Sequence, residues 1–190
     1  MAVLAVVISC QSKDGFSKME RELIMGQSDV MRVLTIASET DSILLTGLSS
    51  DIPVKELEGE VYRTLASKMI STVTDPSQDG VGIAGPQVGI FRRVVAVQRF
   101  DKPGEPFEVY PNIRVIEKRG DLQCGPEGCL SVPDVRGEVP RYQDIDIQYT
   151  SLYSLSDTVE TVRDFTAVIF QHECDHLDGI LFPSRMLKVL

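Results

Sequence analysis

Two histidines occur in this 190-residue chain, and they stand four apart, in Gln171-His172-Glu173-Cys174-Asp175-His176. On an α-helix, residues i and i+4 lie about one turn apart on the same face. His172 and His176 can therefore aim two imidazole nitrogens at one point, the geometry of a His-Glu-x-x-His metal site with Glu173 beside it as acid/base. The alternative is a pair of core or surface histidines that share a helix face by chance. A catalytic metal site takes a third protein ligand and keeps one position open. Cys129 is the best candidate, since thiolate is a strong ligand, its Gly-Cys-Leu setting is tightly turned, and coordination would deprotonate it. Cys124 is a rival. Cys174 lies two residues from each histidine, about 200° away around a helix, on the wrong face.

The elements around these residues can be read from the chain. Asp164 is placed to cap a helix over about 165–177, with Gly179 as its stop. Ala167-Val168-Ile169-Phe170 is continuously apolar, so this helix is buried on several sides, and a buried helix carrying two histidines and a glutamate needs partners for them. Upstream, Leu57, Val61, Leu65 and Met69 recur every fourth residue, which predicts one helix from Val54 to Asp75-Pro76, capped by Ser50 or Asp51 with Pro53 in its first turn. Gly80 to Gly89 carries four glycines and is expected as a loop that opens no helix, with Gln87 as a lone amide in apolar surroundings. Strands are expected at Arg93–Val97, as a pair over Phe107–Glu117 bent near Pro111-Asn112, and at Asp144–Tyr149, with Val159–Arg163 pairing back as a hairpin. Gly125–Pro133 reads as a rigid, turn-rich segment, Ile180–Phe182 as a last short strand, and residues 31–48 as strand or loop.

Length fits a single domain with a sizeable core. Residues 31–190 are assigned to it, and residues 1–30 read as an N-terminal extension with a short helix or ordered stretch after residue 11. The 19 basic and 28 acidic residues give a formal charge of −9, which argues against a nucleic-acid partner. Four scattered cysteines suggest no disulfide framework, and no stretch is long enough for a transmembrane helix. Ala2–Ile8 is a short apolar run before Ser9-Cys10. It is similar to the end of a secretion signal, with Cys10 where a lipoprotein would be lipidated, but without a basic leader.

Three motifs in order carry a resemblance. Gly80 to Gln87 is similar to G-x-G-x-A-A-x-Q, Glu127-Gly128-Cys129-Leu130-Ser131 to E-G-C-L-S, and Gln171 through Gly179 to Q-H-E-x-D-H-x-x-G. The chain resembles the bacterial peptide deformylases over roughly residues 31–182. The resemblance implies an α+β fold of antiparallel β-sheets around a central metal-binding helix, with the 57–69 helix outside. It implies a metal-dependent hydrolase that removes the formyl group from N-formylmethionyl peptides or nascent chains and releases formate.

Carried over by motif position, Cys129, His172 and His176 correspond to the metal ligands. The metal implied is Fe2+, with Zn2+, Ni2+ or Co2+ accommodated; the donor set by itself suggests zinc. Glu173 corresponds to the acid/base, and Gln87 with the backbone N–H of Leu130 to the oxyanion donors. Val81, Gly82, Glu127, Ile169 and Phe170 are the expected substrate-pocket residues. Asp175 is expected to pair with Arg136 or Arg141 and so orient the site. Gly85 replaces the second alanine of the first motif, a change expected to affect loop flexibility more than chemistry. The location implied is cytoplasmic, or exported or lipid-anchored if residues 1–10 are a signal remnant. Two other readings are a peptidase of the His-Glu-x-x-His class and a non-catalytic binding protein on an enzyme scaffold.

Overall fold

A computed structural model describes residues 15–78 and 80–189 of the chain. The apolar run at residues 2–8 and Cys10 lie outside the described residues. Five α-helices and seven strands appear among those described: α1 Lys18–Ile24, α2 Glu39–Leu45, α3 Val54–Leu57, α4 Glu60–Val73 and α5 Asp164–Leu177; β1 Gly82–Ala84, β2 Val94–Gln98, β3 Phe107–Pro111, β4 Arg114–Cys129, β5 Val132–Thr150, β6 Asp157–Arg163 and β7 Lys188–Val189. The fold is α+β with two antiparallel sheets. One has the order β1-β2-β3; the other runs β4-β5-β6, with β7 paired to β5.

Strand β2 explains how the layers stack. Successive strand side chains point to opposite faces. Val94 and Ala96 enter one core cluster with Leu65, Met69 and Val73 of α4, whereas Val95 and Val97 enter a second with Ala167, Ile169, Phe170 and Leu177 of α5. The first sheet is thus buried on both faces, which is why Val94–Val97 is uninterruptedly apolar. Ile145, Ile147 and Val162 of the second sheet close the second cluster. Helix α5 therefore lies between the two sheets, and α4 covers the outer face of the first. Each fully buried Leu or Met of α4 contributes about 2 kcal/mol by burial.

Several elements differ from the sequence expectation. The predicted single helix from Val54 breaks at Glu58, and Gly59, extended at φ −76° and ψ 161°, starts α4. Glycine is a poor helix interior residue but a tolerated cap, and the every-fourth-residue stripe ran across it. Neither Ser50 nor Asp51 caps: Pro53 sits at the N-cap of α3 without a side-chain bond. Residues 39–45 form α2 rather than strand or loop, with Ser38 Oγ accepting from Asp41 N. The glycine-rich stretch is β1 running into a short 3-10 helix, Gly85–Val88. The supposed turn-rich segment 125–133 is mostly strand: β4 and β5 form a long hairpin whose turn is Leu130-Ser131, with Cys129 opposite Val132. Ladder pairing overrode the turn chemistry of its glycines and prolines. Arg163, not Asp164, occupies the N-cap of α5. Phe182 begins a 3-10 turn, and the final strand comes later at β7.

Residues 15–31 join the core. Phe16, Ile24 and Met31 lie in the first cluster. Glu20 of α1 receives two bonds from the buried Arg92, at 2.8 and 2.9 Å, and Arg21 pairs with Glu56 of α3 at 2.8 Å.

Candidate metal centre

Helix α5 is clamped to β5 by Gln171, whose Nε2 donates to Tyr142 O at 2.7 Å and whose Oε1 accepts from Tyr142 N at 3.2 Å. This fixes the rotation of the helix. One residue on, His172 and His176 point the same way, with ring centroids 5.1 Å apart. Cys129 comes from the end of β4, beside a register shift between Glu127 and Cys129; such irregularities re-aim a side chain. Its Sγ lies 3.2 Å from His176 Nε2. One ligand atom from each of Cys129, His172 and His176 falls within 4.8 Å of the others. Cys124 is exposed, and Cys174 is buried in the second cluster; neither belongs to this group.

Charged neighbours hold these side chains. His172 Nδ1 meets Glu127 Oε2 at 2.9 Å. Arg141 donates to both Glu127 oxygens, at 2.8 and 3.0 Å, and to Asp175 Oδ2 at 2.5 Å. Arg185 donates to both oxygens of Asp175 at 2.6 Å. Of the two expected partners of Asp175, Arg141 takes the role, whereas Arg136 lines the open cavity instead. Arg185 was not legible as a partner, because no local spacing ties the end of the chain to the helix face. Burial penalises the charge on Glu127, but His172 and Arg141 outweigh it and hold the carboxyl down at about 2. Glu127 is thus a fixed anion under an imidazole, the arrangement that orients metal-ligating histidines.

Glu173 sits beside the ligands, 3% exposed, and burial pushes its carboxyl up to about 7. A carboxyl poised near neutrality suits proton transfer in both directions. Among the described residues its buried Oε2 and His176 Nδ1 find no hydrogen-bond partner, so the site carries unspent polar capacity. Gly82 makes room for Glu173: a Cβ there would lie 2.5 Å from Glu173 Oε1. Gln87 is fixed from several sides. Its Oε1 accepts from Ala84 N at 2.8 Å, and its Nε2 donates to Ser131 Oγ at 3.1 Å and approaches Cys129 Sγ at 3.6 Å. An extended strap ties the two loops together, Leu34 N donating to Gln87 O and Ile36 N to Ser131 O. Gly85 is more than a flexibility change. A Cβ there would meet Ile90 O at 2.5 Å and Arg92 O at 2.8 Å, so close backbone approach excludes a side chain.

A cavity of about 610 Å³ opens over the site. Val81, Gly82, Gln87, Glu127, Cys129, Leu130, Ile169, His172 and Glu173 all line it, together with Phe165, Val168 and Arg136. Phe170 does not. It is fully buried against Tyr110, with ring centroids 5.0 Å apart. The reason is helical: Phe170 lies two residues from His172, about 200° around. Val168, four residues before His172, faces the cavity, and the same spacing argument could have found it.

A thiol and two imidazoles converging beside a buried carboxyl, at the floor of a cavity, define a metal-dependent hydrolase, and the donor set fits a divalent transition metal. Residues 34–189 match the polypeptide deformylase family. Peptide deformylase 2 of Nostoc sp. is 40% identical over 139 residues, covering 70% of this chain and 76% of the relative. Peptide deformylase 1 of Bacillus subtilis is 38% identical over 138 residues, covering 73% and 78%. A crystal structure of class I type b peptide deformylase from Acinetobacter baumannii with Met-Ala-Ser bound superposes with a TM-score of 0.71 at 34% identity, covering 83% of this chain and 98% of that one. The chain belongs to the polypeptide deformylase family.

Proposed function

We propose that Cys129, His172 and His176 hold one divalent ion at which this chain hydrolyses the formamide of N-formylmethionyl peptides, and that Glu173 moves the protons. The observation that carries this reading is the convergence of the three ligand atoms within 4.8 Å, beside a glutamate whose Oε2 is buried and unpartnered. When bound, the ion supplies Lewis acidity, polarising a carbonyl oxygen and making water acidic enough to attack near neutral pH. Ferrous iron is the resident ion we favour on the family resemblance; the donor set also suits zinc, nickel or cobalt.

Glu173 takes the proton of the attacking water and delivers it to the leaving amine, a role its raised carboxyl fits. Gln87 Nε2 and the N–H of Leu130 are the donors for the oxyanion that develops on the formyl oxygen; one such donor is typically worth about 3 kcal/mol. The methionine side chain is assigned to the part of the cavity bounded by Val81, Val168 and Ile169. Gly82, having no side chain, leaves space for both Glu173 and Ile169. The products are formate and a peptide with a free amino terminus. Nascent chains in the cytoplasm are the expected substrates.

The test is formate release from a short formyl-methionyl peptide by anaerobically purified, iron-loaded protein. Glu173→Gln should retain the metal and lose roughly 100- to 10,000-fold in kcat. Metal retention with no formate release by the wild type would overturn the assignment, and cleavage of unformylated peptides would favour the peptidase reading.

A further inference from the structure

A second cavity, of about 320 Å³, lies on a different face of the metal helix. It is lined from α5 by Gln171, Cys174, Asp175 and Asp178, which at 100° per residue form one stripe. His172 and Glu173, which face the first cavity, lie about a third of a turn or more away from the middle of that stripe. The remaining wall is cationic: Arg93, Arg114, Lys118 and Arg185.

The charges do not balance. Three cations, Arg93, Lys118 and Arg185, face two carboxylates, in a chain whose formal charge is −9. Asp175 is already shared between Arg141 and Arg185, at 2.5 and 2.6 Å. Asp178 meets Arg93 at 2.7 Å. Arg93 is nine-tenths buried; its Nε donates to Ile113 O and its Nη1 to Asp178, so Nη2 has no protein acceptor among the described residues. Lys118 is exposed and makes no ion pair among the described residues. Arg114 is turned outward onto Asp51, at 2.7 and 2.9 Å. Concave, polar, surplus-positive walls concentrate anions, and arginine beside lysine is the pairing that takes phosphate-like oxygens.

We propose that this second cavity binds a small multivalent oxyanion of the phosphate class, held by Arg93 Nη2 and Lys118 with Arg185 at its edge. Bound there, the anion ties β4 and the turn at Phe182–Arg185 to the back of the metal helix. It stabilises the fold without entering the first cavity. The site stands independently of the deformylase assignment, because none of its lining residues is assigned a ligand or proton-transfer role.

The experiment is calorimetric titration of the full, metal-loaded protein with inorganic phosphate at constant ionic strength. Wild type should bind one phosphate saturably, and its melting temperature should rise with phosphate but not with equivalent chloride. Lys118→Glu should weaken binding at least about tenfold, and Lys118→Met by less. Lys55→Glu, an equal charge change on α3, should leave binding unchanged. Absence of saturable binding, or equal binding by wild type and Lys118→Glu, would overturn the proposal. Loss of binding in Lys55→Glu as well would reduce the effect to net charge and overturn it too.

Discussion

At the scale of single residues, the site depends on who lacks a side chain as much as on who carries one. Gly82 leaves space that Glu173 Oε1 and Ile169 Cγ2 occupy; a Cβ would come within 2.5 and 2.8 Å of them. Gly82→Ala is therefore expected to displace the carboxylate by a fraction of an ångström to an ångström. A misplacement of that size costs about 100-fold in turnover, while the three metal ligands stay in place. Steady-state kinetics beside metal analysis of the purified variant would check this: low kcat with full metal content is the expected result. Glu127 and Arg141 act through their neighbours. Arg141→Met removes the cation that bridges Glu127 and Asp175, leaving two carboxylates without their buried partner. Metal affinity should fall about 10- to 100-fold, read by competition with a chromogenic chelator, and lysine at the same position should recover part of it.

At the scale of elements, the first sheet depends on α1. Arg92, 5% exposed, sits in front of β2 and is neutralised by Glu20 of α1. Burial opposes the charge on Glu20, but the bonds from Arg92 and Ser17 outweigh it and hold the carboxyl below its ordinary value. A carboxyl depressed by folding adds stability that is fully present above its unfolded pKa, near 4.5, and is lost as pH falls through the folded value. Glu20→Gln should cost about 3–5 kcal/mol at pH 7, since it leaves a buried guanidinium unpaired. Its deficit against wild type should shrink as pH is lowered from 5 towards 3. Denaturant melts of both proteins across that range would show it, and a pH-independent deficit would refute the linkage.

At the scale of the whole molecule, the proposed metal site joins parts distant in sequence. Cys129 ends β4, while His172 and His176 lie on α5 between the two sheets. An ion bound there stabilises only the folded state. At about 1,000 times its dissociation constant it adds about 4 kcal/mol, so chelation should lower the melting temperature by about 10 °C for a chain of this size. Cys129→Ala should melt near the chelated wild type and respond little to chelator.

The pairing of His172 with His176 was legible in the sequence because its logic is local, whereas Cys129 came from motif resemblance. The i, i+4 spacing of His172 and His176 follows from helix geometry alone, and the glutamate between them needs no tertiary context. The apolar run at Val94–Val97 likewise announced a buried strand, while the packing of α4 and α5 decided that both of its faces are covered. Where reading failed, distant packing decided. Ladder pairing with β5 turned the glycine- and proline-rich 125–129 segment into strand, overriding local turn preference. Phe170 was placed by contiguity with the motif, yet the rotation of α5, fixed by Gln171 against Tyr142, sends it into the core and brings Val168 to the cavity. The grip of Arg185 on Asp175, the strap from Leu34 and Ile36, and the surplus of positive charge behind the metal helix join residues with no periodic relation in the chain. Sequence determined which residues could do the chemistry; the fold decided which groups hold them still, because those contacts depend on how helices and sheets are turned against one another.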